Sequence, residues 1–414
     1  MDQATTERIK REIEFEFGRT EPPEGFPSLP DIPAQRYIDP GFFDLERRLL
    51  WPRAWLFAAH VGQLPEPGSF LLWEASGVPV LLVRGEDERI RAFFNTCRHR
   101  GAPVVREPCG RARRLRCHYH SWVYDLDGSL HAVPDERDFV ALEKAQRGLI
   151  ELRCETWGGW IFVNRDAEAP ALATAIGPVP AELEDLEVDK LRFVTSYSLH
   201  LECNWKASVE AFLEVYHLKH IHADTVDKFL DHRGAAMGLL PGGHSRMATP
   251  VRPEILVDGN VPSPFSSFGR PGEIPRITNL AYNLFPNLVT PLDITGFPFL
   301  LFWPLDIRTT RLDVLWFGGP DYEPEEDGSL PVLWQKRKAA FDLVLDEDTE
   351  NLAAIQKSLE SGGFRGIPLN YQERRLYHLH EQIDRTMGID DIPATMRVQP
   401  RLVDWVEPVA EGDA

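Results

Sequence analysis

The residues with the most chemistry in this chain are Cys97-Arg-His99 and Cys117-His-Tyr-His120. Two thiolates and two imidazoles on two short loops can hold one compact metal centre. Thiolates suit one ferric ion of a two-iron, two-sulfide cluster. Neutral imidazoles on the other iron bring in less negative charge and raise its potential. A structural zinc site takes the same four ligands, but finger spacing keeps the two cysteines together and the two histidines together. Here they alternate in two matched loops. Gly101 and Pro103 follow the first loop, Ser121 and Trp122 the second. Such residues permit tight backbone around an ion, with N–H groups near sulfur. His118, between the ligands, is expected to face solvent.

A second set lies further on, in Glu214-x-x-His217-x₄-His222. Patterning suggests a helix over about 203–220. On it Glu210, Glu214 and His217 share one face, and Phe212, Leu213, Val215 and Leu218 supply the apolar one. His220 would stand beside His217, whereas His222 lies roughly 140° away. Helical spacing alone therefore favours His220 as the partner of His217. Two histidines and one carboxylate on one face of Fe(II) leave positions open for O₂ and substrate. The carboxylate should come from elsewhere in the sequence, and Asp346, Glu347, Asp348 and Glu350 compete for that role.

The stretch CRHRGAPV…CHYHSWVYDLDGSL resembles the cluster domain of the Rieske non-haem iron oxygenases, the aromatic-ring-hydroxylating α-subunit family. NWKASVEAFLEVYHLKHIH resembles that family's mononuclear iron motif. YNLFPN (282–287) is similar to its pocket strand, and DEDTENLAAIQKSLES (346–361) to the helix that supplies its last iron ligand. The matches run in the family's order over most of the chain. The extra cysteine in each loop that marks the cytochrome-complex type is missing.

The resemblance implies that Cys97, His99, Cys117 and His120 hold a Rieske [2Fe-2S] cluster. It implies that His217, His222 and Asp348 hold mononuclear Fe(II), with the helix ending or bulging before His222. His220 then falls behind the site or at the surface. Glu214 becomes the electron bridge, linking His217 to His120 of the next subunit. Most dioxygenase relatives have Asp there; Glu occurs in some that act as monooxygenases on non-aromatic substrates. Ala211 also replaces the usual Asn. A bridge across subunits implies a head-to-tail homotrimer, with a small β subunit left open.

These sites need elements to position them. Residues 1–45 read as a charged helix and a Pro-rich linker, 46–165 as the cluster domain, and 166–414 as the catalytic domain. The cluster domain shows short strands such as VPVLLVRG and GWIFVN between turn signals. The catalytic domain mixes strands with a final long helix, 332–361. The fold class is therefore α+β: an N-terminal all-β Rieske domain, then an antiparallel sheet gripping a long helix. The resemblance implies the helix-grip, START-like form. Pocket candidates are Phe229, Leu240, Phe265, Phe268, Tyr282, Leu284, Leu288, Phe297, Phe299 and Phe302. Arg246 and Arg252 are the candidates for a carboxylate clamp.

Composition bounds the partners. The net charge is −19, with 64 acidic against 45 basic residues, which argues against nucleic acid. The basic run Arg111-Ala-Arg-Arg-Leu-Arg116 reads either as a solvated turn or as a dock for an acidic ferredoxin. Five cysteines without a framework pattern suggest a reducing compartment. No signal core and no membrane span is legible, so a cytoplasmic location is expected. The chain carries no Gly-rich dinucleotide fingerprint. NAD(P)H would thus act through a separate reductase, with or without a ferredoxin. The expected function is the terminal oxygenase component, acting with O₂ on a hydrophobic, aromatic or polycyclic substrate. Mono-oxygenation or oxidative demethylation is the alternative within this class. Outside it stand an electron carrier without oxygenase activity and a zinc-dependent binding protein.

Overall fold

The computed structural model describes residues 1–408. Trp51–Leu172 forms one compact unit; Met1–Leu50 and the chain from Ala173 onward form the other.

In the first unit, short apolar runs between turns pair as strands. A seven-stranded antiparallel sheet joins β1 (Leu56–His60), β2 (Ser69–Trp73), β3 (Val80–Arg84), β4 (Ile90–Phe94), β5 (Cys109–Arg111), β9 (Glu151–Trp157) and β10 (Trp160–Asn164). Their spatial order is β1-β10-β9-β4-β3-β2-β5. A three-stranded sheet holds β6 (Leu115–Arg116), β7 (Val123–Tyr124) and β8 (Leu130–Ala132). The cluster-type loops leave β4 and β6. Cys97 and Cys117 are buried in the same apolar core as Phe93, Trp122 and Tyr124.

The second unit is built on another seven-stranded antiparallel sheet. Its strands are β11 (Arg192–Leu201), β12 (Ala236–Leu239), β13 (Ser245–Pro250), β14 (Thr278–Leu284), β15 (Leu288–Leu292), β16 (Phe297–Asp306) and β17 (Thr309–Gly318). The order is β11-β17-β16-β15-β14-β13-β12. A charged helix, α1 (Gln3–Gly18), opens the chain, and its Asp2 cap accepts from Thr5 N–H at 2.7 Å.

Two helix expectations need correction. The helix expected over 203–220 is broken into α2 (Trp205–Glu210), a run of turns, and α3 (Leu218–Ile221). The break has one local cause and one distant one. The Glu214 carboxylate accepts from the Tyr216 and His217 N–H groups, and Arg375 donates to the Leu213 carbonyl at 3.2 Å. Backbone groups that a continuing helix would use are satisfied from side chains instead. The long helix at 332–361 is likewise two: α4 (Val332–Thr349) and α5 (Leu352–Glu360). After them in the chain comes α6 (Arg374–Met387), which is buried along most of its length.

The segment before α2 is anchored by its own residues. Asn204 donates to the Tyr37 carbonyl at 3.0 Å and the Ile307 carbonyl at 2.9 Å. Trp205 Nε1 and Lys206 Nζ both reach the Glu46 carboxylate, at 3.1 and 2.7 Å. Among the described residues, no helix is long and apolar enough to cross a membrane.

Candidate metal centres and cavity

The two cluster-type loops share one turn. Cys97 N–H donates to Ala102 O and Gly101 N–H to Cys97 O; Cys117 N–H donates to Trp122 O and Ser121 N–H to Cys117 O. Four residues past each cysteine stands a left-handed residue, Gly101 (φ 75°) or Ser121 (φ 58°). The loops therefore present Cys and His from two near-equivalent scaffolds. The thiols are buried and the imidazoles partly exposed. The rings of His99 and His120 lie 4.6 Å apart, and Trp122 stacks on His99 at 4.9 Å. Burial, then the neighbouring His120 and Arg100, push His99 below its ordinary value, a direction that favours the neutral imidazole ligation requires. His118 is exposed, as expected.

Two positioning residues here escaped the sequence reading. Buried Asn95 accepts from Val104 and Val105 N–H at 2.9 and 3.0 Å and donates to Val105 O at 2.8 Å. Tyr124 accepts from Arg98 N–H at 2.9 Å and lies 3.3 Å from Cys97 Sγ. A single Asn or Tyr carries no spacing signal, so only the fold exposes these roles.

The second set converges as well. One ligating atom each from His217, His222 and Asp348 lies within 4.8 Å of the others. His222 Nε2 is 2.8 Å and His217 Nε2 3.5 Å from Asp348 Oδ1. The far nitrogen of each imidazole is held by a carboxylate. Glu214 contacts His217 Nδ1, and Glu347 contacts His222 Nδ1 at 2.7 Å. Thr225 Oγ1 donates to Glu347 at 2.6 Å. Such contacts fix ring orientation and tautomer and turn both Nε2 atoms to the centre. His222 is buried and His220 exposed. Glu347, a competitor for the ligand role, instead braces a histidine. Burial pushes the Asp348 carboxyl up from its ordinary value. Glu210 does not share the face of Glu214. It is buried against Tyr37 Oη at 2.8 Å and His380 Nε2 at 2.8 Å.

The triad opens into a cavity of about 350 Å³. Its floor is one face of the sheet, and strand register decides which residues reach it. Met247 pairs with Ala281, and Ala281 with Pro291; this apolar row lines the cavity. The roof is α4, through Phe341, Val344 and Leu345.

None of the ten expected pocket residues lines this cavity. Tyr282 stands on the opposite face, where its hydroxyl donates to Glu182 at 2.7 Å, and Leu284 and Leu288 share its parity. Phe297 and Phe299 alternate with the strand face that carries Trp316. Phe302 packs behind Phe212, ring centroids 5.3 Å apart. Leu240 and Phe268 are buried elsewhere and Phe229 is exposed. Phe265 lines a separate outer pocket. Arg246 is no clamp either, being paired with Glu182 and Glu407; Arg252 is paired with Asp227 and Asp231.

Two family models match in the same order as these two centres. The Rieske [2Fe-2S] domain matches residues 54–146, and the ring-hydroxylating α-subunit catalytic domain matches 188–389. The chain belongs to the Rieske oxygenase α-subunit family. Among its relatives, the 2-aminobenzenesulfonate 2,3-dioxygenase α subunit of Alcaligenes sp is 32% identical over 215 residues, covering 50% of this chain and 55% of that one. The chain thus spans only about half of this aromatic relative. The carnitine monooxygenase oxygenase subunit of Escherichia coli is 26% identical over 358 residues, 83% of this chain and 89% of that one. The structure of naphthalene 1,2-dioxygenase from Rhodococcus sp. shares the fold, with a TM-score of 0.69 at 21% identity over 93% of this chain and 98% of that one.

A Rieske oxygenase carries a [2Fe-2S] cluster and a mononuclear iron, and the residues present fit both. His99 Nδ1 and His120 Nδ1 are buried and, among the described residues, without a hydrogen-bond partner. The two loops that carry them also carry the buried thiols of Cys97 and Cys117, the donor set that cluster ligation requires. In the catalytic unit, two Nε2 atoms and one carboxylate oxygen converge beside an apolar cavity, a facial set for non-haem iron.

Proposed function

We propose that this chain is the terminal oxygenase component of an electron-transfer system that inserts O₂-derived oxygen into an apolar, ring-containing substrate. One observation carries the reading: the His217, His222 and Asp348 ligating atoms converge at an apolar cavity. In this reading Cys97, His99, Cys117 and His120 hold the cluster, and His217, His222 and Asp348 hold Fe(II). When bound, the cluster supplies single electrons and the iron supplies O₂ activation.

The chain's own residues do the rest. Glu214 and Glu347 hold the two imidazoles so that Nε2 faces the metal. Glu214 also serves as the bridge to His120 of a neighbouring subunit in a homotrimer. Met247, Ala281, Val344 and Leu345 hold substrate carbon near the triad and exclude water. The electrons come from a separate flavin reductase or ferredoxin. Arg111 and Arg114 in the basic run are already paired with Glu66 and Asp125, which leaves exposed Arg113 and Arg116, the latter donating to the Ser121 hydroxyl at 2.9 Å, as the more available contacts for such a partner.

Mono-oxygenation or demethylation is kept as a second reading because the carnitine monooxygenase subunit aligns over most of its length. A quaternary ammonium substrate is disfavoured. The guanidinium of Arg337 already lies over Phe265, Trp316 and Trp334, 4.9, 5.2 and 5.5 Å from their centroids. Those three rings are therefore already taken by one cation.

Product analysis under ¹⁸O₂ tests the proposal, with chemically reduced holoenzyme and a panel of arenes, methyl ethers and quaternary amines. Two ¹⁸O atoms in one product support dioxygenation; one atom, or formaldehyde release, supports the second reading. A preparation that binds no mononuclear iron sinks both.

A further inference from the structure

The cavity floor changes character one step along the strands. Next to the apolar row Met247–Ala281–Pro291 runs a polar one: Thr249 pairs with Asn279, and Asp293, one residue past β15, continues it. Two residues along a strand is about 7 Å. All three line the cavity. The apolar row is the one nearer the triad, since Met247 and Ala281 cluster with Val215 and Leu218, the neighbours of His217. On the roof the same polarity appears. Arg337 and Asp348 sit on α4 eleven residues apart, about 16 Å along the axis, and Arg337 meets Asp293. Asp293 and Arg337 also line the outer pocket, of about 350 Å³. The polar band therefore marks the end of the cavity remote from the triad. The Asp293 side chain there is 43% exposed.

We propose that Thr249 and Asn279 recognise a neutral hydrogen-bonding group, a hydroxyl or a ketone, on the substrate end remote from the oxidised carbon. This deepens the oxygenase reading and rests on it. The charge at the band is already matched. Arg337 donates to Asp293, to Thr295 O at 2.9 Å and to Thr295 Oγ1 at 3.1 Å. An anionic group would face the Asp293 carboxylate. A cationic group would have to displace Arg337 from three aromatic faces. A hydroxyl or carbonyl meets neither obstacle. Asn279 Nδ2 already donates to Leu292 O at 3.2 Å, which leaves its second N–H and its Oδ1 for a ligand, and the Thr249 hydroxyl can donate or accept. The substrate enters apolar end first, and its polar end stays at the wetter, outer side.

Equilibrium dialysis of oxidised holoenzyme against four probes tests this: biphenyl, 4-phenylphenol, 4-phenylbenzoate and trimethyl(4-phenylphenyl)ammonium. The phenol is expected to bind about tenfold tighter than the hydrocarbon and tighter than either ion, a difference of about 1.4 kcal/mol. Asn279→Leu and Thr249→Val, made separately, should each shrink that preference while retaining biphenyl affinity, which also reports an intact fold. Equal binding of phenol and hydrocarbon, preference for either ion, or variants that keep the full preference would overturn the assignment. Binding needs no turnover, so this outcome is separate from the iron content and product analysis that judge the oxygenase reading.

Discussion

At the residue scale, the mononuclear centre turns on which histidine joins His217. An unbroken helix favours His220, yet His220 is exposed and His222 is buried against Asp348 and Glu347. His222→Ala should abolish mononuclear iron by metal analysis, while His220→Ala keeps it; the visible cluster spectrum should survive in both. Glu347 is a positioning residue, acting through His222. Glu347→Ala should weaken iron binding about 10- to 100-fold, read by chelator competition. The conservative Glu347→Gln, which can still pair with a ring N–H through its carbonyl oxygen, should recover part of that loss.

At the element scale, the catalytic loops depend on a buried ion pair that holds α2. Lys206 and Glu46 are both fully buried; burial pushes the lysine down and the carboxyl up from their ordinary values. Removing one partner strands the other in a dry site. Lys206→Met should cost about 3–5 kcal/mol in urea unfolding, and Glu46→Leu added to it should restore much of that. Thr310 and Gln356 brace the same region through Cys203 O and Asn204 N–H.

The sheet edge carries a pH dependence of its own. His244 accepts from Phe285 N–H at 2.9 Å and makes a 2.8 Å contact with Ala175 O. Both nitrogens are thus used by the neutral ring, with His378 nearby, itself 2.9 Å from Leu240 O. Burial lowers each to about 4. The unfolded chain takes up protons near pH 6.5 and the folded one does not, so stability is full above 6.5 and falls as pH drops towards 4. Each histidine should contribute a slope of about 1.4 kcal/mol per pH unit in that window. Chemical unfolding as a function of pH should show that slope reduced in His244→Gln and in His378→Leu.

At the scale of the whole molecule, the proposed electron route runs between copies. His222→Ala should lack iron and Cys97→Ser should lack the cluster, so each alone should be inactive. Co-expressed and purified as a mixed assembly, the two should recover turnover, because one subunit supplies electrons and another the iron. Turnover that never exceeds either parent, in an assembly shown by mass spectrometry to be mixed, would confine the route to a single chain.

The cluster loops were legible in the sequence because ligand chemistry restricts residue type and local spacing; C-x-H and C-x₂-H need only a tight turn each. Spacing alone favoured His220 in the second set, and His217, His222 and Asp348 came together only through the family resemblance. The α+β class followed from short alternating runs and one long helix. Other features came from long-range packing. The break after α2 depends on Arg375, more than 160 positions away, so periodicity extended the helix too far. The cavity wall escaped because a strand alternates faces: aromatic Tyr282 and Phe299 drew attention, while Met247, Ala281 and the polar pair Thr249–Asn279 held the inner face. Register is set by which strands meet, and no single strand carries that information. Sequence by itself therefore determined the chemistry of the metal-binding motifs, whereas only the tertiary structure decided what surrounds them, because a cavity is made by side chains from distant segments that share nothing but their place in the fold.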